Sequence, residues 1–64
     1  MSKNEIGIVA GTIWHLLSEK GEANIRKIGE CTGLKEAAII LALGWLEREN
    51  KVDMHDENGI LYFK

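Results

Sequence analysis

The sequence predicts a mostly α-helical domain: three helices closed by a two-stranded β-hairpin. Three observations carry this. Apolar residues recur at helical spacing over about residues 4–20 and 35–49, with a shorter stretch at about 25–31 between them. Gly21, Gly33 and Asn50 stand just past these stretches, where a left-handed residue ends a helix. The tail KVDMHDENGILYFK places Asn58-Gly59 between two extended segments. That dipeptide is the strongest short hairpin signal, because both central residues of a type I′ turn need positive φ.

Asn4 or Ser2 can cap the first helix. Ile6, Val9, Ala10, Ile13, Leu16 and Leu17 share its core stripe, and Gly7, Gly11 and Trp14 fall together beside it. Each glycine costs a helix about 1 kcal/mol relative to alanine. The pair therefore implies another backbone or a large side chain lying close. Trp14 packs either under a loop of its own chain or against a second subunit. Gly21 to Ala23 makes a short connection with one extended pair, and Asn24 caps the second helix, from which Ile25 and Ile28 point inward. Thr32-Gly33 ends that helix and Leu34 turns the chain into the third. A short helix, a tight glycine turn and a longer helix make a helix-turn-helix pattern.

In the third helix Ile39, Ala42, Leu43 and Leu46 form the core stripe. This leaves Ala37, Ile40, Leu41, Gly44 and Trp45 on the other side, where a surface helix normally carries polar residues. In the hairpin, at about residues 51–64, Glu57 pairs with Ile60 and Met54 with Phe63. Val52, Met54, Leu61 and Phe63 are then expected to cover the helices. Asp53 with Lys64 and His55 with Tyr62 form the outer pairs.

Composition excludes several classes. The chain has 64 residues, 45% of them hydrophobic, with no proline and a net charge of −2. It is one domain, with no bulk attraction to nucleic acid or to an anionic membrane. The start, MSKNE, is not a signal peptide, and no apolar run nears the roughly 20 residues needed to span a bilayer. The expectation is a soluble cytoplasmic protein. One cysteine, Cys31, allows no internal disulfide, and no Cys/His cluster has metal-ligand spacing. A core this small supplies only about 3–5 kcal/mol, and oligomerising is a common remedy. Neither His15 nor His55 is near Cys31 in sequence, which reads as a small semi-buried core residue, and no phosphate-loop or nucleophile motif occurs. Catalysis is rejected, and no catalytic, cofactor or metal residue is assigned.

Three helices followed by a hairpin make a winged helix-turn-helix. The stretch NIRKIGECTGLKEAAIILALGWLERENKV resembles winged-helix regulators, with Ile25, Ile28, Gly29, Gly33, Leu34, Ile39, Leu43, Leu46, Asn50 and Val52 where that fold needs them. The chain is most similar to a family of short, stand-alone bacterial winged-helix proteins of uncharacterised function. The resemblance implies that the third helix is the recognition helix, whose outer face enters the major groove in DNA-binding members. Here those positions are Lys35, Glu36, Ala37, Ala38, Ile40, Leu41, Gly44 and Trp45, and only Lys35 suits a phosphate or a guanine. The wing tip is His55, Asp56, Glu57, Asn58 and Gly59, whose two carboxylates repel phosphate. Arg26 and Lys27, with Lys20 and Lys3, are the remaining basic group, diluted by Glu19, Glu22 and Glu30.

The apolar outer face admits three readings: a wider core, a DNA surface with unusual hydrophobic contacts, or a protein interface. Burying three large apolar side chains at about 1.5–3 kcal/mol each is worth roughly 5–8 kcal/mol per subunit, which rivals the stability of the monomer. The interface reading is therefore preferred. The expectation is a homodimer in which Ala37, Ile40, Leu41, Gly44 and Trp45 pack against their twins, with Trp14 as a second contact. The alternative is a DNA-binding transcriptional regulator that uses Arg26, Lys27, Lys35 and Arg48.

Overall fold

The computed structural model describes residues 1–64. Its first helix, α1 (Lys3–Lys20), starts at a complete capping box. The Ser2 hydroxyl accepts from the Glu5 amide at 3.2 Å, and the Glu5 carboxylate accepts from the Ser2 amide at 2.8 Å. Ser2, not Asn4, is therefore the cap. The bond from the Ser2 backbone, then the Ser2 side chain and the charged N-terminus, hold the Glu5 carboxyl below its ordinary range. A carboxylate lowered by folding stabilises fully above its ordinary range, and that contribution is lost as pH falls through the lowered value. At the far end Gly21, at φ 90°, donates its N–H to the Leu17 carbonyl at 2.8 Å.

The extended pair is a real strand, β1 (Ala23–Asn24). The Asn24 side chain then caps α2 (Ile25–Thr32) by accepting from the Lys27 amide at 2.8 Å. Gly33 ends α2 in the left-handed conformation, at φ 73°. The Thr32 hydroxyl donates to the Ile28 carbonyl at 2.7 Å and accepts from the Leu34 amide at 3.2 Å, which fixes the turn into α3 (Glu36–Arg48). Lys35 precedes α3 and makes no side-chain cap bond. Asn50 follows it at φ 57°.

The wing is β2 (Met54–Glu57) and β3 (Ile60–Phe63), joined at Asn58 and Gly59 with φ 56° and 84°. The register is the one expected: Met54 with Phe63, His55 with Tyr62 and Glu57 with Ile60. Asp53 and Lys64 exchange both backbone bonds, at 2.8 and 3.0 Å. The sheet differs from a two-stranded wing in one respect. β1 pairs antiparallel with β3, Ala23 opposite Phe63, and the strand order is β1-β3-β2.

The core is Ala10, Ile13 and Leu17 of α1, Ala23, Ile28 of α2, Ile39, Ala42, Leu43 and Leu46 of α3, and Val52 and Phe63. Val9, Leu16, Ile25 and Leu34 pack against it partly exposed. Four expectations change. Of the hairpin residues, Val52 and Phe63 are buried, but Met54 and Leu61 stay half-exposed, because an open groove separates them from the outer side of α3. Cys31 is exposed, since the inward row of α2 passes through Ile25, Ile28 and the half-buried Thr32. A methyl group added at Gly7, Gly11 or Gly44 would meet nothing within 4 Å, so no neighbour in this chain explains those glycines. Trp14 does not lie under a loop of its own chain; it is about half-exposed. No helix is long and apolar enough to cross a membrane.

Candidate interaction surface

Placing Ile39, Ala42, Leu43 and Leu46 inward on α3 turns Ile40, Leu41, Gly44 and Trp45 outward by helical geometry. Ile40 is 49% exposed, Leu41 54% and Trp45 38%. The wing and α1 do not fold over them, so the wider-core reading fails within this chain. Ala37 is exposed beside them.

The two flanks of this face differ. Toward the wing, Ile40 and Gly44 line an open groove of about 310 Å³ with Ile25, Leu43, Met54, Leu61 and Phe63. Glu47 is the one charged residue on its wall. Toward the start of α1, Trp45 lines a second hollow, of about 330 Å³, with Lys3, Arg48 and Glu49. No hollow lined by α3 residues includes Trp14, which sits with the open glycines on α1.

Sequence reasoning missed part of the apolar surface. Ile8, Met54, Ile60 and Leu61 are all exposed by two fifths or more. Strand alternation assigned Met54 and Leu61 to the inner face correctly. It holds no signal for how far that face is covered.

The basic residues do not converge. Arg26 pairs with Glu30 at 3.4 Å across one turn of α2, both exposed. Lys27 is exposed next to it. Lys35 and Arg48 stand at opposite ends of α3, about 20 Å apart at 1.5 Å per residue. On the wing, Asp56 accepts from the Gly59 amide at 2.9 Å and so holds the turn. His55 stacks on Tyr62, and its Nε2 lies 3.5 Å from Glu22 and 3.6 Å from Glu57. His15 is exposed and 3.5 Å from Glu19. No group of three or more His, Cys, Asp or Glu side chains is placed to hold a metal ion.

Two helices joined by a tight turn, a supporting first helix and a hairpin wing define a winged helix-turn-helix domain. The whole chain, residues 1–64, matches the family described as Winged helix-turn-helix domain (DUF2582), and it belongs to that family. It is 42% identical over 50 residues to the uncharacterised protein MJ1608 of Methanocaldococcus jannaschii, covering 75% of this chain and 71% of that protein. The solution NMR structure of protein BT2368 from Bacteroides thetaiotaomicron superimposes with a TM-score of 0.90 at 36% identity, over 98% of this chain and 77% of that one. The relatives thus include an archaeal protein as well as a bacterial one.

Proposed function

We propose that this domain is a non-catalytic protein-interaction module of transcriptional regulation that homodimerises through the outer face of α3. The observation that carries the reading is the exposure of Ile40, Leu41 and Trp45 on the helix that DNA-binding relatives of the fold insert into the major groove. These side chains cannot neutralise phosphate or satisfy a row of polar base edges. The acidic wing tip opposes the electrostatic attraction on which most non-specific DNA affinity depends. A tryptophan is a frequent interface anchor, and the apolar groove beside Ile40 and Gly44 continues onto Met54 and Leu61 of the wing. The twofold homodimer, in which one patch meets itself, is the commonest arrangement for such a surface.

Light scattering on a size-exclusion column, over a range of protein concentrations, tests the proposal. The expected result is a dimer mass that Ile40→Glu and Trp45→Glu reduce to that of a folded monomer. A wild-type protein that stays a monomer at high micromolar concentration overturns it. Titration with duplex DNA tests the competing class. The expected result is no shift at 50–100 mM salt, where phosphate contacts remain strong. A shift that weakens steeply with salt points instead to a DNA-binding regulator.

A further inference from the structure

We propose that Asn58 is a site of spontaneous deamidation, and that the Asp56 carboxylate restrains the reaction by holding the Gly59 N–H. Asparagine is a thermolabile residue. The chain has four, Asn4, Asn24, Asn50 and Asn58, and only Asn58 is followed by glycine. The reaction joins the asparagine side chain to the next backbone nitrogen. The Gly59 amide gives up its proton to solvent base, and its nitrogen attacks Cγ of Asn58. A new bond from Cγ to that nitrogen closes a five-membered succinimide. The bond from Cγ to Nδ2 breaks, and Nδ2 takes up a proton and leaves as ammonia. Water then opens the ring at one of its two carbonyls, giving aspartate or isoaspartate. Glycine permits the attack because no side chain crowds its nitrogen. Glu5, Ile25 and Lys51, which follow the other asparagines, do crowd theirs.

The hairpin needs this dipeptide for its type I′ turn, and both residues are exposed, at φ 56° and 84°. The attacking nitrogen is not free, however. Its N–H donates to the Asp56 Oδ1 at 2.9 Å. A bond to a carboxylate favours the nitrogen that keeps its proton, and the negative charge opposes the anionic nitrogen that attacks. A carboxylate is too weak a base to remove an amide proton, so the contact restrains the reaction and does not assist it. The register of the wing depends on this restraint. Isoaspartate lengthens the main chain by one carbon, just where Glu57 pairs with Ile60 across the turn. β3 is the middle strand of the sheet and ends at buried Phe63, so a slip at the tip is carried into the core. Either product also sets a third carboxylate beside Asp56 and Glu57.

The test follows deamidation in warm, mildly alkaline buffer by mass spectrometry. Cleavage at lysine releases residues 52–64, in which Asn58 is the only asparagine. Asp56→Ala is expected to react faster than wild type by roughly threefold to tenfold. Asp56→Asn, which keeps an acceptor without the charge, is expected to fall between them. Equal rates in all three proteins overturn the proposal, and so does a slower rate in Asp56→Ala, which would make the carboxylate a base. Amide hydrogen exchange at Gly59, read by NMR, begins with loss of the same proton. It is expected to quicken in Asp56→Ala by a similar factor, while the Gly33 amide, bonded to the Gly29 carbonyl at 2.8 Å, keeps its wild-type rate. Faster deamidation with unchanged Gly59 exchange means that Asp56 does not act through this N–H, and overturns the proposal. A measurement without any substitution compares the wild-type chain folded and in guanidinium chloride. Deamidation at Asn58 is expected to be faster in the unfolded chain, and equal rates in the two states overturn the restraint.

Discussion

The consecutive helices α2 and α3 belong to one motif and end as opposite kinds of surface. α2 is complete within the chain. Asn24 caps it, Gly33 stops it, Ile28 is fully buried, and its outward side carries Arg26, Lys27 and Glu30. α3 is incomplete. Its inner stripe is as well buried as that of α2, but its cap position holds an unbonded Lys35 and its outer face holds Ile40, Leu41 and Trp45. The difference shows which sequence choices folding alone accounts for. The charged side chains of α2 are satisfied in the monomer or by water, whereas Ile40, Leu41 and Trp45 on α3 have no apolar cover within the chain.

The largest expected effect separates the two faces of α3. Truncating buried Ile39 to alanine should cost about 2–5 kcal/mol, enough to unfold much of a domain whose core supplies only about 3–5 kcal/mol. Ile40→Ala, measured in the dissociated monomer by urea denaturation followed by circular dichroism, should cost less than about 1 kcal/mol. Equal losses at the two positions would mean that the outer face folds into its own core, and the contrast with α2 would collapse.

A smaller effect sharpens the contrast through its sign. Gly44→Ala meets no atom within 4 Å in the monomer, so it should stabilise the dissociated chain by about 1 kcal/mol through helix propensity. Under the proposed homodimer, the same methyl group should weaken association, because it would occupy the open space beside the α3 backbone. Thermal melts at low and high protein concentration separate these outcomes. A rise in melting temperature at both concentrations would show that Gly44 does not lie under a partner.

The smallest effect belongs to α2. Glu30→Ala breaks the ion pair with Arg26, which is exposed on both sides. It should change stability by no more than about 0.5 kcal/mol and leave the mass of the assembly unaltered. A change in mass on light scattering would bring α2 into the interface and erase the distinction between the helices.

Much of this was legible in the sequence, for local reasons. Gly21, Gly33 and Asn50 do end their helices, and Asn58-Gly59 does fix the strand register, because left-handed backbone is a property of single residues. The outward position of Ile40, Leu41 and Trp45 followed from helical spacing once the inner stripe was assigned. What stayed illegible depends on distance. β1 is two residues long, with no periodicity of its own, and it exists only because Phe63 and Tyr62 come to lie beside it. The exposure of Met54 and Leu61 depends on how far the wing projects, which no pattern within the hairpin encodes. The glycines of α1 and α3 invited the inference of a close neighbour, and the monomer provides none.

The strand order β1-β3-β2 leaves β2 at the rim of the sheet, with one side of its backbone unpaired. Such a strand is a template on which other chains can grow, and folded proteins commonly defend it with charge. Here the strand is four residues long and ends in Asp56 and Glu57. The two carboxylates that make the wing a poor seat for phosphate therefore have a second consequence. They discourage sheet-to-sheet polymerisation in a protein that already exposes Met54, Ile60 and Leu61 on the same wing.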